Sequence, residues 1–135
     1  GKIPEVFERR YVYDYTEPLD VNRMRKAAEY LCGTHDFKSF CGNNKMKKST
    51  VRTISRIQIK ELPGEIQIYY TGNGFLQNMV RILTGTLIEI GDGRRTPEDV
   101  SEILEAKNRE RAGYTAPACG LTLLEVIYGK MVCNK

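Results

Sequence analysis

One run of apolar residues near the middle of the chain constrains the fold more than any other feature. Its large apolar side chains recur every three or four residues, which is the spacing of a helix that packs one face against a core. They are Phe75, Leu76, Met79, Val80, Leu83, Leu87 and Ile90. Gln77, Asn78, Arg81 and Gly85 lie roughly opposite. The pattern predicts a helix over residues 75–90, and its polar face is either solvated or the floor of a cleft for an anionic group.

Two strands joined by a tight turn precede this helix. β-Branched and aromatic residues dominate residues 51–61 and 66–71, and Pro63-Gly64 between them supplies turn chemistry. Alternation predicts that one face of the first strand carries Val51, Thr53, Ser55, Ile57 and Ile59. In the second strand it predicts a face formed by Ile66, Ile68 and Tyr70. The segment is therefore predicted to be a β-hairpin.

Two further helices are indicated by their first residues. Asp20 is a good N-cap for a helix that ends at Gly33. The apolar stripe of this helix is Met24, Ala27, Ala28 and Leu31. Residues 96–99 open another helix, with a capping threonine, a proline at the first position and acids in the first turn. Its inner face is Val100, Ile103 and Leu104.

Strands at both ends complete the predicted order, with residues 6–15 first and residues 121–128 last. Residues 34–40 are predicted to be a compact segment anchored by Phe37 and Phe40, and residues after 128 a frayed tail. The order β-α-β-β-α-α-β matches the split β-α-β, ferredoxin-like plan with one extra helix. We therefore expect one α+β domain over residues 1–135, with an antiparallel sheet and helices on one face.

Composition restricts the partners and the compartment. The net charge of +4 on 135 residues favours acidic partners, nucleic acid first. No apolar run is long enough to span a bilayer, so no membrane partner is expected. The cysteines, Cys32, Cys41, Cys119 and Cys133, form no C-x-x-C pair, which predicts reduced thiols, a cytoplasmic protein and no metal site. The chain does not begin with methionine, and we expect it to be a piece of a longer protein.

Cations concentrate in the polar loop at residues 42–50 and in the strand that follows it. They are Lys45, Lys47, Lys48, Arg52 and Arg56. Such groups can neutralise RNA phosphates and release counterions, although an ordinary solvated face accounts for them almost equally well. We predict that these residues bind RNA, together with the two amides Gln77 and Asn78. His35 is predicted to be structural.

Four segments in order resemble the TruA family of tRNA pseudouridine synthases. They are Pro18-Leu19-Asp20 with Met24 and Ala27-Ala28; Gly-Thr-His-Asp-Phe-Lys-Ser-Phe at residues 33–40; Gly74-Phe75-Leu76 to Met79-Val80-Arg81 with Gly85; and Thr-Ala-Pro-Ala-Cys-Gly-Leu-Thr-Leu at residues 115–123. The resemblance covers nearly the whole chain, but only the C-terminal domain of the family. It implies isomerisation of uridines in the tRNA anticodon stem-loop, without cofactor or metal, by a homodimer with tRNA spanning both subunits. The family's essential aspartate lies in an Arg-Thr-Asp motif of an N-terminal domain, and residues 1–135 contain no such motif.

The resemblance also implies roles for individual residues. Arg81 matches the arginine that pairs with the catalytic aspartate, where a guanidinium fork keeps a carboxylate ionised and oriented. Leu121 matches an apolar residue that packs beside the target base, and Gly120 allows the chain to approach the base. On the residues alone, Arg81 fits a solvated helix face, Leu121 a plain core position and Gly120 a strand start.

A second interpretation is a stand-alone RNA-binding module that stacks bases on an open sheet. It requires exposed aromatic residues, for which Tyr11, Tyr13 and Tyr69 are candidates. A third is a purely structural interaction domain, which predicts no cleft. We favour the synthase, and we expect this chain alone to lack synthase activity.

Overall fold

The computed structural model describes residues 5–128, and five strands within that part form one antiparallel sheet. The elements are β1 (Glu5–Asp14), α1 (Val21–Leu31), β2 (Gly33–Asp36), β3 (Val51–Leu62), β4 (Glu65–Gly72), α2 (Met79–Gly91), α3 (Asp99–Ala106) and β5 (Leu121–Tyr128). The strand order across the sheet is β2-β3-β4-β1-β5. The tail predicted after residue 128 lies outside the described residues.

This architecture confirms the predicted α+β class. The order β3-β4-β1-β5 is that of the split β-α-β plan, with α1 packed on β3, α2 packed on β1, and α3 packed on α1. The sequence pattern did not predict β2, which pairs with β3 from Gly33 opposite Ile54 to Asp36 opposite Val51. Four residues are too few to display the alternation that identifies a strand. Phe37 and Phe40, which follow β2, are fully buried anchors as predicted.

The core lies between the sheet and the helices. Ile66, Ile68 and Tyr70 of β4 are fully buried on one face, as predicted. Helix α1 begins as predicted, because the Asp20 carboxylate accepts a hydrogen bond from the Arg23 backbone N–H at 3.2 Å. All four residues of the predicted α1 stripe are buried. Among residues 5–128, no helix combines the length and apolar character needed to cross a bilayer.

The prediction that alternate residues from Val51 to Ile59 share one face of β3 was wrong in the first half of the strand. Ile54 and Ile59 are both buried although they are five residues apart, and the β3–β4 register shifts between Ile54 and Arg56. A bulge at this point adds one residue and exchanges the two faces of the strand. As a result Val51, which was predicted to share a face with Ile59, is 45% exposed on the opposite face.

Helix α2 begins at Met79, four residues later than predicted. Asn78 has φ of 60°, a left-handed conformation that asparagine tolerates better than most residues and that a right-handed helix cannot contain. The turn before it is held from another part of the chain, since the Gly42 N–H donates to the Gln77 carbonyl at 2.8 Å. Gly85 does not face a cleft, because a Cβ there would collide with the Tyr114 carbonyl.

Helix α3 also begins later than its sequence signals indicate, at Asp99. The Asp99 carboxylate accepts from the Thr96 N–H at 2.9 Å, and the Asp99 N–H donates to the Thr96 carbonyl at 3.1 Å. The predicted acidic first turn is therefore present, with an aspartate side chain as the capping acceptor. Val100 and Ile103 are buried on the inner face as predicted.

Candidate active site

A cleft of about 240 Å³ opens between the start of α2 and the helix-facing side of β5. It brings together the two residues predicted to be catalytic, Arg81 and Leu121. Phe75, Asn78 and Leu123 also line it. The third interpretation, a structural domain without a cleft, is therefore wrong in that respect.

Arg81 is fixed in this cleft by the segment that leads into β5. Its Nε donates to the Ala116 carbonyl at 2.7 Å, and the Ala116 N–H donates back to the Arg81 carbonyl at 3.0 Å. Its Nη1 donates to Asn78 Oδ1 at 3.3 Å. The side chain is half-buried, so it is not an ordinary solvated helix residue. The contacts hold the guanidinium at the cleft wall, and no partner for Nη2 is found among residues 6–124, whose side chains the structure describes.

Gly120 sets the position of Leu121 through its contact with β1. A Cβ on Gly120 would lie 2.5 Å from the Val12 carbonyl and 2.7 Å from the Tyr11 ring. The close approach that requires glycine is thus made to β1, which favours the strand-start interpretation of Gly120. Leu121, directly opposite Tyr11, is half-buried at the cleft.

Tyr11 belongs to the core, so it cannot serve as the exposed stacking residue that the stand-alone RNA-binding module requires. It is 2% exposed, and its hydroxyl donates to the Pro117 carbonyl at 2.5 Å. Burial is the main cause that raises the pKa of Tyr11 to about 12. Tyr13 is half-buried, and Tyr69 lies on the other face with Lys60 Nζ 4.8 Å from its ring centroid. The three tyrosines therefore do not form one open stacking surface.

Arg9 is a cleft residue that the sequence analysis missed. It lines the same cleft from β1, and its guanidinium carbon lies 5.4 Å from the Phe75 ring centroid and 5.8 Å from that of Phe7. Burial lowers the pKa of Arg9. A signal was available, because Arg9 shares the strand face of the apolar residues Phe7 and Tyr11, where a charge is unusual.

The cleft carries positive charge without an internal counter-charge. Among residues 6–124, whose side chains the structure describes, the lining includes the guanidinium groups of Arg9 and Arg81 and no carboxylate. The remaining wall is largely apolar, with Phe75, Leu121 and Leu123. Such a site can hold anionic groups beside a flat apolar one.

The predicted RNA-binding cations are distributed over different surfaces. Lys45 and Lys47 are exposed in the loop before β3. Lys48 lines a second cleft, of about 330 Å³, which Lys38 and Lys107 also line. The second cleft is polar, and it contains no residue of the first one.

The two arginines of β3 differ in their position, since Arg52 adjoins the segment that carries Lys48 and Arg56 does not. Arg52 donates to the Ser49 and Val51 carbonyls at 2.8 and 2.7 Å. Arg56 is opposite Thr71 on the sheet face that points away from the helices, and it donates to Gln58 Oε1 at 3.1 Å. The predicted set therefore does not form a single patch.

The two predicted amides have different surroundings. Gln77 is exposed in the turn before α2, whereas Asn78 lines the first cleft and accepts from Arg81. His35 lies at the edge of the sheet, with Nε2 2.9 Å from the Cys32 carbonyl. Across residues 6–124, where side chains are described, no three His, Cys, Asp or Glu side chains are grouped closely enough to hold a metal ion.

Comparison with known proteins gives consistent matches. The family model of tRNA pseudouridine synthases matches residues 27–129. tRNA pseudouridine synthase A 1 of Bacillus cereus is 50% identical over 128 residues, covering 95% of this chain and 52% of that protein. tRNA pseudouridine synthase A of Bacillus velezensis is 50% identical over 127 residues, and that of Bacillus subtilis is 48% identical over 127 residues, each covering 94% of this chain and 51% of the relative. The chain thus spans about half the length of the curated relatives that it matches.

Proposed function

The chain belongs to the TruA family of tRNA pseudouridine synthases, and we propose that it is the C-terminal domain of an enzyme that isomerises uridine in the anticodon stem-loop of tRNA. In this reaction the bond between ribose C1′ and uracil N1 breaks, and C1′ is rejoined to C5. The C5 proton leaves to solvent and N1 gains a proton, so the reaction needs no external oxidant or reductant.

The observation that carries this proposal is the half-buried guanidinium of Arg81 at the wall of a cleft. We propose that it pairs with the catalytic aspartate, which it keeps ionised and oriented through a bidentate contact. Ala116 and Asn78 already fix two of its nitrogens, so little side-chain entropy is lost when the carboxylate arrives. Leu121 and Phe75 supply an apolar wall that suits the face of the target base.

The aspartate is proposed to come from an N-terminal domain outside this chain. Residues 1–135 contain no Arg-Thr-Asp motif, and the relatives are about twice as long as the segment they share with it. In the part of the chain that the structure describes, β5 is an edge strand; it adjoins the cleft, carries the 67% exposed Leu123 and is suited to be covered by that domain.

Further partners follow from the family resemblance. The complete enzyme is proposed to be a cytoplasmic homodimer with tRNA spanning both subunits. Its tRNA-binding surface is proposed to include Lys45, Lys47, Lys48, Arg52, Arg56 and Gln77. Recognition would be mainly electrostatic and by shape.

Tritium release from tRNA that carries [5-³H]uridine tests the proposal directly, because isomerisation frees the C5 hydrogen. The complete enzyme is expected to release tritium, and residues 1–135 alone are expected to release none above background. Release by this chain alone would refute the proposed division of the active site.

Replacement of Arg81 in the complete enzyme tests its role. We expect Arg81→Ala to lower kcat by about 100-fold or more, the scale of losing one charge-stabilising group in an active site. The same change removes the bond to Ala116 and costs about 1–3 kcal/mol of stability, so thermal melting is measured in parallel. Arg81→Lys keeps the charge without the planar fork, and it is expected to recover stability more than turnover. Unchanged turnover in both variants would exclude Arg81 from the site.

A further inference from the structure

The proposed function accounts for one of the two guanidinium groups in the cleft and leaves the other unexplained. Arg81 is assigned to the aspartate, whereas Arg9 lines the same cleft from β1. Building on the proposed function, we propose that Arg9 binds a phosphodiester group of the RNA strand that enters this cleft.

The surroundings of Arg9 are those of a cation held ready for an external anion. Its side chain is half-buried, and its guanidinium carbon lies within cation–π distance of the rings of Phe7 and Phe75. Among residues 6–124, whose side chains are described, its hydrogen-bond partner is the Glu8 carbonyl, 3.1 Å from Nη1, and no carboxylate pairs with it. Partial removal of a cation from water is unfavourable unless an anion compensates it. The geometry therefore favours an anionic occupant.

A nucleotide fits the cleft better than a protein carboxylate alone. Phe75 and Leu121 form an apolar wall beside Arg9, and a nucleotide offers both a flat base for that wall and a phosphate for the fork. An aspartate or glutamate from another domain would leave the Phe75 ring without such a partner. Arginine and aromatic side chains are a common pairing for single-stranded RNA.

Salt dependence of RNA binding measures the phosphate contact. Arg9→Gln in the complete enzyme is expected to weaken binding of an anticodon stem-loop RNA by about 10- to 100-fold. It should also reduce the slope of log affinity against log salt by about 0.7, the share of one phosphate contact in a single strand. The loss should fall on KM, with kcat at saturation largely kept. Arg9→Lys, which keeps the charge, should keep the slope and lose part of the affinity.

Arg10→Gln is the matched control. Arg10 is adjacent on β1, it carries the same charge, and it faces the other side of the sheet opposite Tyr69. The Arg10→Gln variant should have a KM and a salt dependence of RNA binding close to those of the unmodified enzyme. Thermal melting of each variant separates loss of binding from loss of fold.

Neutral methylphosphonate linkages then locate the contact. The phosphates around the target uridine are replaced one at a time. At one linkage, the replacement should weaken RNA binding by the unmodified enzyme but should not weaken binding by the Arg9→Gln variant any further. Additive losses at every linkage would overturn the proposal. An Arg9→Gln variant with unchanged KM and an unchanged salt dependence of RNA binding would also overturn it. A variant with a lower kcat and a shifted acidic limb of the pH–rate profile would do so as well, because that result indicates a carboxylate partner.

Failure of the proposed role of Arg9 can be distinguished from failure of the proposed function. If the unmodified enzyme binds the RNA but releases no tritium, the isomerase proposal fails while the salt and methylphosphonate results still decide the role of Arg9. If tritium is released and Arg9→Gln behaves like Arg10→Gln, the isomerase proposal stands and the role of Arg9 is wrong.

Discussion

Tyr11 connects the core of the molecule to the segment that holds Arg81. Its ring packs against Gly120, and its hydroxyl donates to the Pro117 carbonyl, one residue after the Ala116 that accepts from Arg81. A buried phenol keeps its proton more tightly than an exposed one, because burial disfavours the phenolate. Tyr11 therefore links alkaline pH to the integrity of the cleft wall.

The raised pKa of Tyr11 predicts a loss of stability at high pH. The folded value of about 12 lies above the unfolded value of about 10, so between these pH values the folded protein binds the proton that the unfolded chain has released. The stabilisation is complete below about pH 10 and is lost as the pH rises to about 12, on the order of 1–3 kcal/mol. Urea unfolding measures the free energy of unfolding of the unmodified chain and of Tyr11→Phe, and we expect the difference between them to decrease over this range. A difference that stays constant from pH 8 to 12 would contradict this linkage.

Arg81 and Arg9 show which residues of the site could be predicted from the sequence and which could not. Arg81 was identified because its helix matches a family motif, while its own periodicity was compatible with a solvated face. Arg9 carried a signal in its strand position, but recognising it required the pairing of β1 with both β4 and β5, which buries one face of that strand. The Phe75 ring beside Arg9 is contributed from 66 positions further along the chain, and no local pattern predicts such a contact.

At the scale of elements, the start of α2 determines where Arg81 is presented. A helix that continued back to Phe75 would place residues 75–78 on a regular surface. Instead the left-handed conformation of Asn78 prevents the helix from starting before Met79, and the Gln77 carbonyl accepts a hydrogen bond from the Gly42 N–H. This allows the Asn78 side chain to reach forward to Arg81.

Substitution of Asn78 separates its backbone role from its side-chain role. Asn78→Ala loses the contact to Arg81 and places a Cβ-bearing residue at φ of 60°, whereas Asn78→Gly loses the contact without the strain. We expect the alanine variant to be about 1 kcal/mol less stable than the glycine variant. Both should lower kcat of the complete enzyme to a similar degree, since both release Arg81 Nη1. Equal stability of the two variants would show that this backbone conformation is not maintained.

The elements themselves were largely predictable, and the errors share one cause. The strands and the stripe of α1 follow from local alternation, and β4 and β5 were placed nearly to the residue. The bulge in β3, the short strand β2 and the delayed start of α2 all depend on contacts distant in sequence. Ile54 faces Gly72, Gly33 pairs with Ile54, and Gly42 bonds to Gln77. Hydrophobic periodicity does not contain that information.

At the scale of the whole molecule, the cleft lies at an edge. Within residues 5–128, β5 pairs with β1 on one side and with no strand on the other. Unpaired strand edges tend to associate with other chains unless they are covered. An uncovered edge beside a positively charged cleft is consistent with the proposal that another domain completes the site.

Leu123 provides the test of that completion. It is 67% exposed in this chain, so Leu123→Lys should change the stability of residues 1–135 by no more than about 0.5 kcal/mol. In the complete enzyme the same lysine would be buried under the N-terminal domain, and it should lower both the melting temperature and the rate of tritium release, because an unpaired buried charge is costly. Leu62, 41% exposed at the β3–β4 turn far from the cleft, supplies the control, and Leu62→Lys should be neutral in both proteins. If Leu123→Lys were as harmless in the complete enzyme as Leu62→Lys, the N-terminal domain would not cover this edge, and the aspartate would have to reach Arg81 from another direction.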